Sequence, residues 1–243
     1  MNFWRKLQLL IITLTIAIIV VISGLVTMNF FLPNSIINSV PALKKNPKSL
    51  TKTEAIQSIT THQITNSKPL LKHFPYQETN SKKLTIIASY GIGEYQRFEQ
   101  LNQEAARELM KLIYTARNEG IWIVVISGFR TIKQQQILWD AQVEKSGSEE
   151  KAAQFNAPPG YSEHHTGYAV DLGDGKFPNL DLTQEFENTT AFKWLKIHAK
   201  EYGFEISFPV NNSQGISYEP WHWRFIKSSS SKAVFANAKN YDF

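Results

Sequence analysis

The sequence predicts an α+β domain over residues 70–243, preceded by a membrane anchor and a stalk. Helical and extended patterns alternate over residues 84–243 without a regular strand–helix–strand repeat, which favours this class. The short apolar run IWIVVI at 121–126 is typical of a buried strand. Longer stretches on either side of it have the three- and four-residue apolar spacing of helices.

The N-terminal segment 7–32 is apolar and carries no charged residue. About 20 such residues are enough to cross a bilayer as a helix. The run has no polar face, and no small-residue cleavage site of a secretory signal follows it. We therefore predict a transmembrane signal-anchor over 7–32. The basic residues flanking it do not decide its orientation; if the rest of the chain works outside the cytoplasm, residues 1–6 are the cytoplasmic end.

The composition changes after the anchor. Residues 33–69 are rich in Lys, Asn, Ser, Thr and Pro, which indicates a flexible polar stalk. Residues 1–83 contain ten Lys/Arg and two Asp/Glu, whereas residues 84–243 contain sixteen Lys/Arg and nineteen Asp/Glu. The predicted domain is mildly acidic, which argues against nucleic-acid binding.

The chain has no cysteine, so disulfides, thiolate ligands and a cysteine nucleophile are excluded.

The elements of the domain follow from periodicity and from glycine positions. Helices are predicted over Phe98–Asn118, Ile132–Ser146 and Asn188–Tyr202, each followed by a glycine that can end it. Either Asn188 or Thr190 is expected to cap the third helix. Strands are predicted over 121–126, 204–208 and 220–226, the first of them central and buried on both faces.

Two short segments concentrate residues that bind metals. GYSEHHTGYAVD spans 160–171, and EPWHWR spans 219–224. A catalytic zinc site takes three protein ligands from His and carboxylate side chains and keeps one position open, and His164, Asp171 and His222 supply that set. His165 is a rival to His164, and spacing alone does not choose between them. Gly167 offers a bend that can bring His164 and Asp171 together.

The second segment also contains a candidate general base. Alternation along it places His222 and Arg224 on one face and the aromatic residues on the other. Pro220 interrupts regular strand pairing, which leaves Glu219 on a differently directed piece of backbone. A glutamate three residues before a metal-binding histidine is placed to take a proton from an attacking water. Either segment alone fits a structural role, but together they predict metal-assisted hydrolysis.

Three motifs in order carry a resemblance to a known family. SGFRT (127–131) is followed by SEHHTGYAVD, which fits Ser-x-His-x-x-Gly-x-Ala-x-Asp, and by EPWHWR, which fits Glu-x-x-His-x-Arg. Over about residues 70–227 the chain resembles the VanY-type D-alanyl-D-alanine carboxypeptidases, zinc peptidases of bacterial cell-wall metabolism. The resemblance implies a small, mainly antiparallel sheet flanked by helices, as in the Hedgehog/DD-peptidase fold, with Zn²⁺ at one end.

The resemblance also implies roles for individual residues. It assigns His164, Asp171 and His222 as zinc ligands, Glu219 as the catalytic glutamate and Arg130 as the arginine that holds the substrate; His165 falls at a variable position. Weaker matches give three substrate-binding residues, Gln135, Ser162 and Trp221. Arg224 is a second candidate cation, although its place beside a ligand suggests a supporting role.

The implied function is removal of the terminal D-alanine from peptidoglycan stem peptides by a membrane-anchored, extracytoplasmic zinc peptidase. An LD-carboxypeptidase or a wall endopeptidase of the same fold remains an alternative. So does a wall-binding module that keeps zinc without catalysis. A signalling module like the zinc-containing domain of Hedgehog proteins is a further alternative, because a shared fold does not establish function.

Overall fold

The computed structural model describes residues 68–91 and 96–239. The predicted transmembrane segment 7–32 and the cytoplasmic segment 1–6 lie outside the described residues, as does nearly all of the predicted stalk 33–69. Within the described part of the chain, no helix is both long and apolar enough to span a membrane.

The described residues form two antiparallel sheets and five α-helices. The strands are β1 (Leu84–Tyr90), β2 (Arg97–Asn102), β3 (Ile123–Ser127), β4 (Ala169–Asp174), β5 (Phe204–Ile206) and β6 (His222–Phe225). The helices are α1 (Gln103–Asn118), α2 (Ile132–Ser146), α3 (Glu149–Ala152), α4 (Thr190–His198) and α5 (Ser229–Lys239). β1 pairs with β2, and the other strands form a sheet in the order β3-β4-β6-β5. The predicted α+β class with small antiparallel sheets is confirmed.

The apolar side of the four-stranded sheet forms the core with α1 and α4. Its buried members include Leu109, Leu112, Leu172, Phe192, Trp223 and Phe225. Burying each such side chain contributes about 1.5–3 kcal/mol. Because successive strand residues point to opposite faces, placing Trp223 and Phe225 in this core directs His222 and Arg224 to the other face.

The first predicted helix begins five residues later than its spacing indicated. Residues 97–102 pair with β1, and α1 starts at Gln103. Phe98 is exposed while Glu99 and Leu101 are buried, which is the two-residue alternation of a strand. The Asn102 side chain then accepts a hydrogen bond from the Glu104 amide and caps the helix. Leu101 fits the apolar spacing of a helix as well as the alternation of a strand. The predicted helix therefore began before the residue at which the helix starts in the structure.

Two further expectations need correction. β3 is buried, but it lies at the edge of its sheet rather than at the centre, and β1 and β2 contact it. The cap of α4 is Thr189, whose side chain accepts from the Phe192 amide, rather than Asn188 or Thr190. After His198 the helix tightens into a 3₁₀ turn over Ala199–Tyr202. The second predicted helix, Ile132–Ser146, has the expected bounds.

The chain before β1 lies across the domain. The Tyr76 amide donates to Gly160 O at 2.8 Å, and the Thr79 amide donates to His165 O at 2.8 Å. The side-chain nitrogen Nε2 of Gln214 donates to Lys72 O at 2.9 Å. This segment therefore covers the part of the chain that carries the histidine motif.

Candidate active site

The histidine pair lies in a tight turn that leads into β4. Residues Glu163–Thr166 form a 3₁₀ turn, which Ser162 caps by accepting from the His164 amide. Gly167 ends the turn at φ +69°, and a Cβ at this position would lie 2.9 Å from Leu84 Cδ2 and 3.2 Å from the Asn102 amide nitrogen. Glycine is therefore required both by conformation and by space. The bend at Gly167 brings His164 beside Asp171, which the seven-residue spacing on an unbroken strand would not do.

His164, Asp171 and His222 converge on one point. Asp171 and His222 are directly opposed in the β4–β6 pair. His164 Nε2 lies 3.3 Å from Asp171 Oδ2, and His222 Nδ1 lies 3.0 Å from Asp171 Oδ1. One donor atom from each of the three residues lies within 4.8 Å of the others. Two segments distant in sequence thus form one buried set of two nitrogens and one carboxylate.

The hydrogen bonds around this set fit a metal. His164 Nδ1 donates to Gly128 O at 2.6 Å, which leaves Nε2 directed at Asp171. His222 Nε2 donates to Glu163 Oε2 at 3.0 Å, which leaves Nδ1 directed at the Asp171 carboxylate as well. Metal-binding histidines have their second nitrogen bonded in this way. Two imidazoles and a carboxylate are the donor set of a catalytic zinc site.

His165 has a structural role. Its Nδ1 donates to Arg130 O at 2.7 Å, and its Nε2 accepts from the Gly160 amide at 3.1 Å. The side chain is 0% exposed, and burial lowers its pKa to about 4. Both ring nitrogens are therefore occupied, and the choice that spacing left open falls on His164.

Glu219 stands next to the metal set. Its Oε2 lies 3.9 Å from His222 Nδ1, and the side chain lines the same cavity. Its amide donates to Phe208 O at 3.1 Å, and its carbonyl accepts from the His222 amide at 3.2 Å. Burial, aided by the negative charge of Asp171, raises its pKa to about 8. A carboxyl group of this kind can both take up and give back a proton near neutral pH.

Arg130 is the only Lys or Arg among the described residues that lines the cavity. Its guanidinium donates to Gln135 Oε1 at 2.8 Å and to Ser127 Oγ at 3.0 Å. The Gln135 amide nitrogen in turn donates to Ala157 O at 2.7 Å. These bonds hold a planar cation beside the metal set, where it can pair with a carboxylate.

The three expected substrate-binding residues all line the cavity, whose volume is about 620 Å³. The side-chain amide of Gln135 is bonded to Arg130 and Ala157, so Gln135 orients the arginine. The Ser162 hydroxyl accepts from the His164 amide. Trp221 is half-buried at the cavity wall. Direct contact between substrate and Gln135, Ser162 or Trp221 stays a prediction.

Sequence reasoning missed Glu163. The residue is 4% exposed, and its carboxylate accepts from His222, from Ser207 Oγ at 2.5 Å and from Arg224 at 3.0 Å. Burial opposes its ionisation, but Arg224 and the bonded His222 and Ser207 hold its pKa at about 2. The need of a metal-binding histidine for an acceptor on its second nitrogen could have indicated it.

Comparisons with known proteins agree with this geometry. The family model described as VanY: D-alanyl-D-alanine carboxypeptidase matches residues 98–228. YodJ of Bacillus subtilis (strain 168) is 34% identical over 139 residues, which is 56% of this chain and 50% of YodJ. The bifunctional D-Ala-D-Ala dipeptidase and D-Ala-D-Ala carboxypeptidase VanXYC of Enterococcus gallinarum is 33% identical over 139 residues, 56% of this chain and 72% of VanXYC.

Among solved structures, the LdcB LD-carboxypeptidase is similar with a TM-score of 0.56 and 28% identity, covering 68% of this chain and 81% of that one. The chain spans half the length of YodJ, the first of the curated relatives that it matches.

Proposed function

Because the chain belongs to the VanY family of D-alanyl-D-alanine carboxypeptidases, we propose that it is a zinc-dependent carboxypeptidase that removes the terminal D-alanine from peptidoglycan stem peptides. One observation carries the proposal. His164, Asp171 and His222 offer three buried donor atoms within 4.8 Å of one another, and Glu219 stands 3.9 Å from one of them. The cavity around them is of a size that holds a peptide segment rather than a single ion.

His164, Asp171 and His222 would hold the zinc ion, which supplies Lewis-acid polarisation of the peptide carbonyl and makes hydroxide available near neutral pH. Glu219 takes a proton from the attacking water and returns it to the departing amine as the C–N bond breaks. Arg130, held by Gln135 and Ser127, pairs with the terminal carboxylate of the peptide. A carboxypeptidase needs such a cation, because it must select a free C-terminus.

A second candidate acts through the same residues. The similarity to the LdcB LD-carboxypeptidase supports cleavage of a bond between an L-residue and a terminal D-alanine. The metal ligands and the general base would be unchanged, and only the residue before the scissile bond would differ. An endopeptidase is the third possibility of this class.

Defined stem peptides distinguish these activities. The protein, loaded with one equivalent of zinc, is incubated with a pentapeptide stem ending in D-Ala-D-Ala and separately with a tetrapeptide stem, and the products are read by mass spectrometry. We expect loss of one D-alanine from the pentapeptide and no cleavage after chelation. Cleavage of the tetrapeptide alone would establish the LD-activity, and no cleavage of either stem would contradict a carboxypeptidase.

A zinc-containing wall-binding module is distinguished by Glu219→Gln. The substitution removes the general base but keeps the size of the side chain, so turnover should fall about 10²- to 10⁴-fold with zinc content and unfolding temperature unchanged. A variant as active as the wild type would remove Glu219 from the mechanism.

We also propose that residues 7–32 anchor the chain in the cell membrane as a single span, with the domain on the extracytoplasmic side. The uncharged apolar run supports this placement, as does the location of peptidoglycan outside the membrane. The full chain should then sediment with membranes after a high-salt wash, and deletion of residues 1–32 should release it. Full-length protein in the soluble fraction would contradict the anchor.

A further inference from the structure

The carboxylate of Glu163 has no part in the chemistry described above, yet it is bonded from four directions. It accepts from His222 Nε2 at 3.0 Å, from Ser207 Oγ at 2.5 Å and from Arg224 at 3.0 Å, and the Tyr76 hydroxyl is its fourth partner. A buried carboxylate is costly unless it is paired in this way. These four partners come from three separate segments of the chain, because His222 and Arg224 both lie on β6.

His222 can present either ring nitrogen to a metal, and its surroundings decide which. Nδ1 lies 3.0 Å from Asp171 Oδ1, on the side where the donor atoms converge, and Nε2 lies 3.0 Å from Glu163 Oε2. A carboxylate accepts but does not donate, so Glu163 keeps a hydrogen on Nε2. Asp171 likewise accepts from Nδ1 in the metal-free protein, but Asp171 belongs to the metal set, so a metal would take the place of the hydrogen on Nδ1 while Glu163 keeps the one on Nε2. Rotation of the ring would break the bond to Glu163.

We propose that Glu163 is a positioning residue of the metal site, which orients the His222 imidazole and selects the tautomer that binds zinc through Nδ1. The identity of the metal as zinc rests on the proposed function. The hydrogen bond between Glu163 and His222 is observed independently of it. Glu163 directly precedes the ligand His164. One turn of chain therefore supplies the first ligand and the partner of the last.

Arg224 keeps the Glu163 carboxylate in place. His222 and Arg224 are two residues apart on β6, so both side chains project from the same face and reach Glu163 together. The Arg224 Nε also donates to Glu205 Oε1 at 2.9 Å. Glu205 thus contacts the same arginine on its other side, whereas the two ring nitrogens of His222 are bonded to Asp171 and Glu163, so Glu205 serves as a matched control.

The test is zinc affinity, measured by competition with a chromophoric chelator, for the wild type, Glu163→Gln and Glu205→Gln. Mutation of the group bonded to a ligand's second nitrogen commonly costs 10- to 100-fold in metal affinity. Glutamine has no charge, and its NH2 group would turn a donor toward either His222 or Arg224, which both donate to Glu163 in the wild type. We expect that loss for Glu163→Gln and a change under about twofold for Glu205→Gln. Far-UV circular dichroism of the metal-free proteins shows whether each is folded.

A folded Glu163→Gln protein with wild-type zinc affinity would overturn the proposal, as would equal losses in the two variants. Should Glu163→Gln not fold, Glu163→Asp keeps the charge and shortens its reach; it should bind zinc more weakly than Glu205→Gln, and wild-type affinity would again refute the role. Because the readout is zinc binding, a wild-type protein that binds zinc but cleaves no peptide would defeat the proposed function alone.

Discussion

Three consecutive residues of one turn have three different partners. Glu163 accepts from His222, His164 joins the metal set, and His165 bonds to Arg130 and Gly160. In a 3₁₀ turn successive side chains project about 120° apart, so neighbours in sequence reach different parts of the domain. The turn therefore links the metal site to the loop that carries Arg130.

His165→Phe tests this link at the scale of one residue. An aromatic ring is retained, but Arg130 O and the Gly160 amide lose their partner in a partly buried place. We expect the free energy of unfolding to fall by about 2–4 kcal/mol, because two groups lose a partner and each, being only partly buried, costs toward the lower part of the about 1–3 kcal/mol of a fully buried group. The KM should rise more than kcat falls, because the Arg130 loop loses its support. Urea unfolding and steady-state kinetics measure the two effects.

His198→Phe is the control for that substitution. His198 is more exposed, pairs with Glu201 three residues on and stacks against Trp194, a ring contact that phenylalanine can keep. Its replacement should therefore change the unfolding free energy by less than about 0.5 kcal/mol. If the two variants shift the urea midpoint equally, the internal bonds of His165 do not contribute as described.

At the scale of elements, the end of β3 is positioned by a close backbone contact. Gly128 follows β3, and a Cβ on it would collide with Gln100 O of β2. The Gly128 amide donates to Glu99 Oε2 at 2.7 Å, and its carbonyl accepts from His164 Nδ1. The close approach of β2 to the end of β3 thus determines where His164 is held.

Gly128→Ala should separate these strands and move the acceptor of His164. We expect a loss of about 1–3 kcal/mol in unfolding free energy, as for other overpacked sites, together with weaker zinc binding. Denaturant unfolding and chelator competition report the two quantities.

Gly120→Ala provides the comparison at a site with free space. Its φ is +76° and an added Cβ would meet nothing within 4 Å, so only a backbone cost of about 1 kcal/mol is expected, with zinc affinity unchanged. Equal zinc affinity in Gly128→Ala and Gly120→Ala would contradict the role of the strand contact.

At the scale of the whole domain, the segment before β1 is tied to residues far along the chain. His73 Nε2 donates to Ala153 O at 2.8 Å, across 80 positions of sequence. The side chain is buried, and burial lowers its pKa, although the bond to Ala153 and the charge of Glu163 oppose that effect. His73 is therefore neutral in the folded protein under conditions in which an unfolded chain takes up a proton.

This difference predicts how stability depends on pH. Below about pH 6.5 the unfolded state binds a proton at His73 that the folded state does not. As the pH is lowered, the free energy of unfolding therefore decreases by up to about 1.4 kcal/mol per pH unit. His73→Gln keeps a donor for Ala153 but does not titrate. Between pH 7.5 and 5.5, the stability advantage of the metal-free wild type over this variant should shrink; a constant difference would contradict the assignment.

Much of the fold and of the site was predictable from local sequence. The helix over Ile132–Ser146, the polar and apolar faces of the segment around His222, and the glycine bend between His164 and Asp171 each follow from a short-range pattern. The start of α1 was not predictable in this way, because Leu101 satisfies both the helical and the strand period. Pairing with β1, which spacing does not report, makes residues 97–102 a strand.

The sequence by itself determined which side chains are available for chemistry: a cysteine-free set of two histidines, an aspartate, a glutamate and an arginine in three ordered motifs. The tertiary structure decided how these side chains are used. It placed Asp171 opposite His222, engaged both nitrogens of His165 elsewhere, and put Glu163 behind a ligand. These outcomes depend on strand register and on hydrogen bonds between segments distant along the chain, and a local pattern of residues does not encode either.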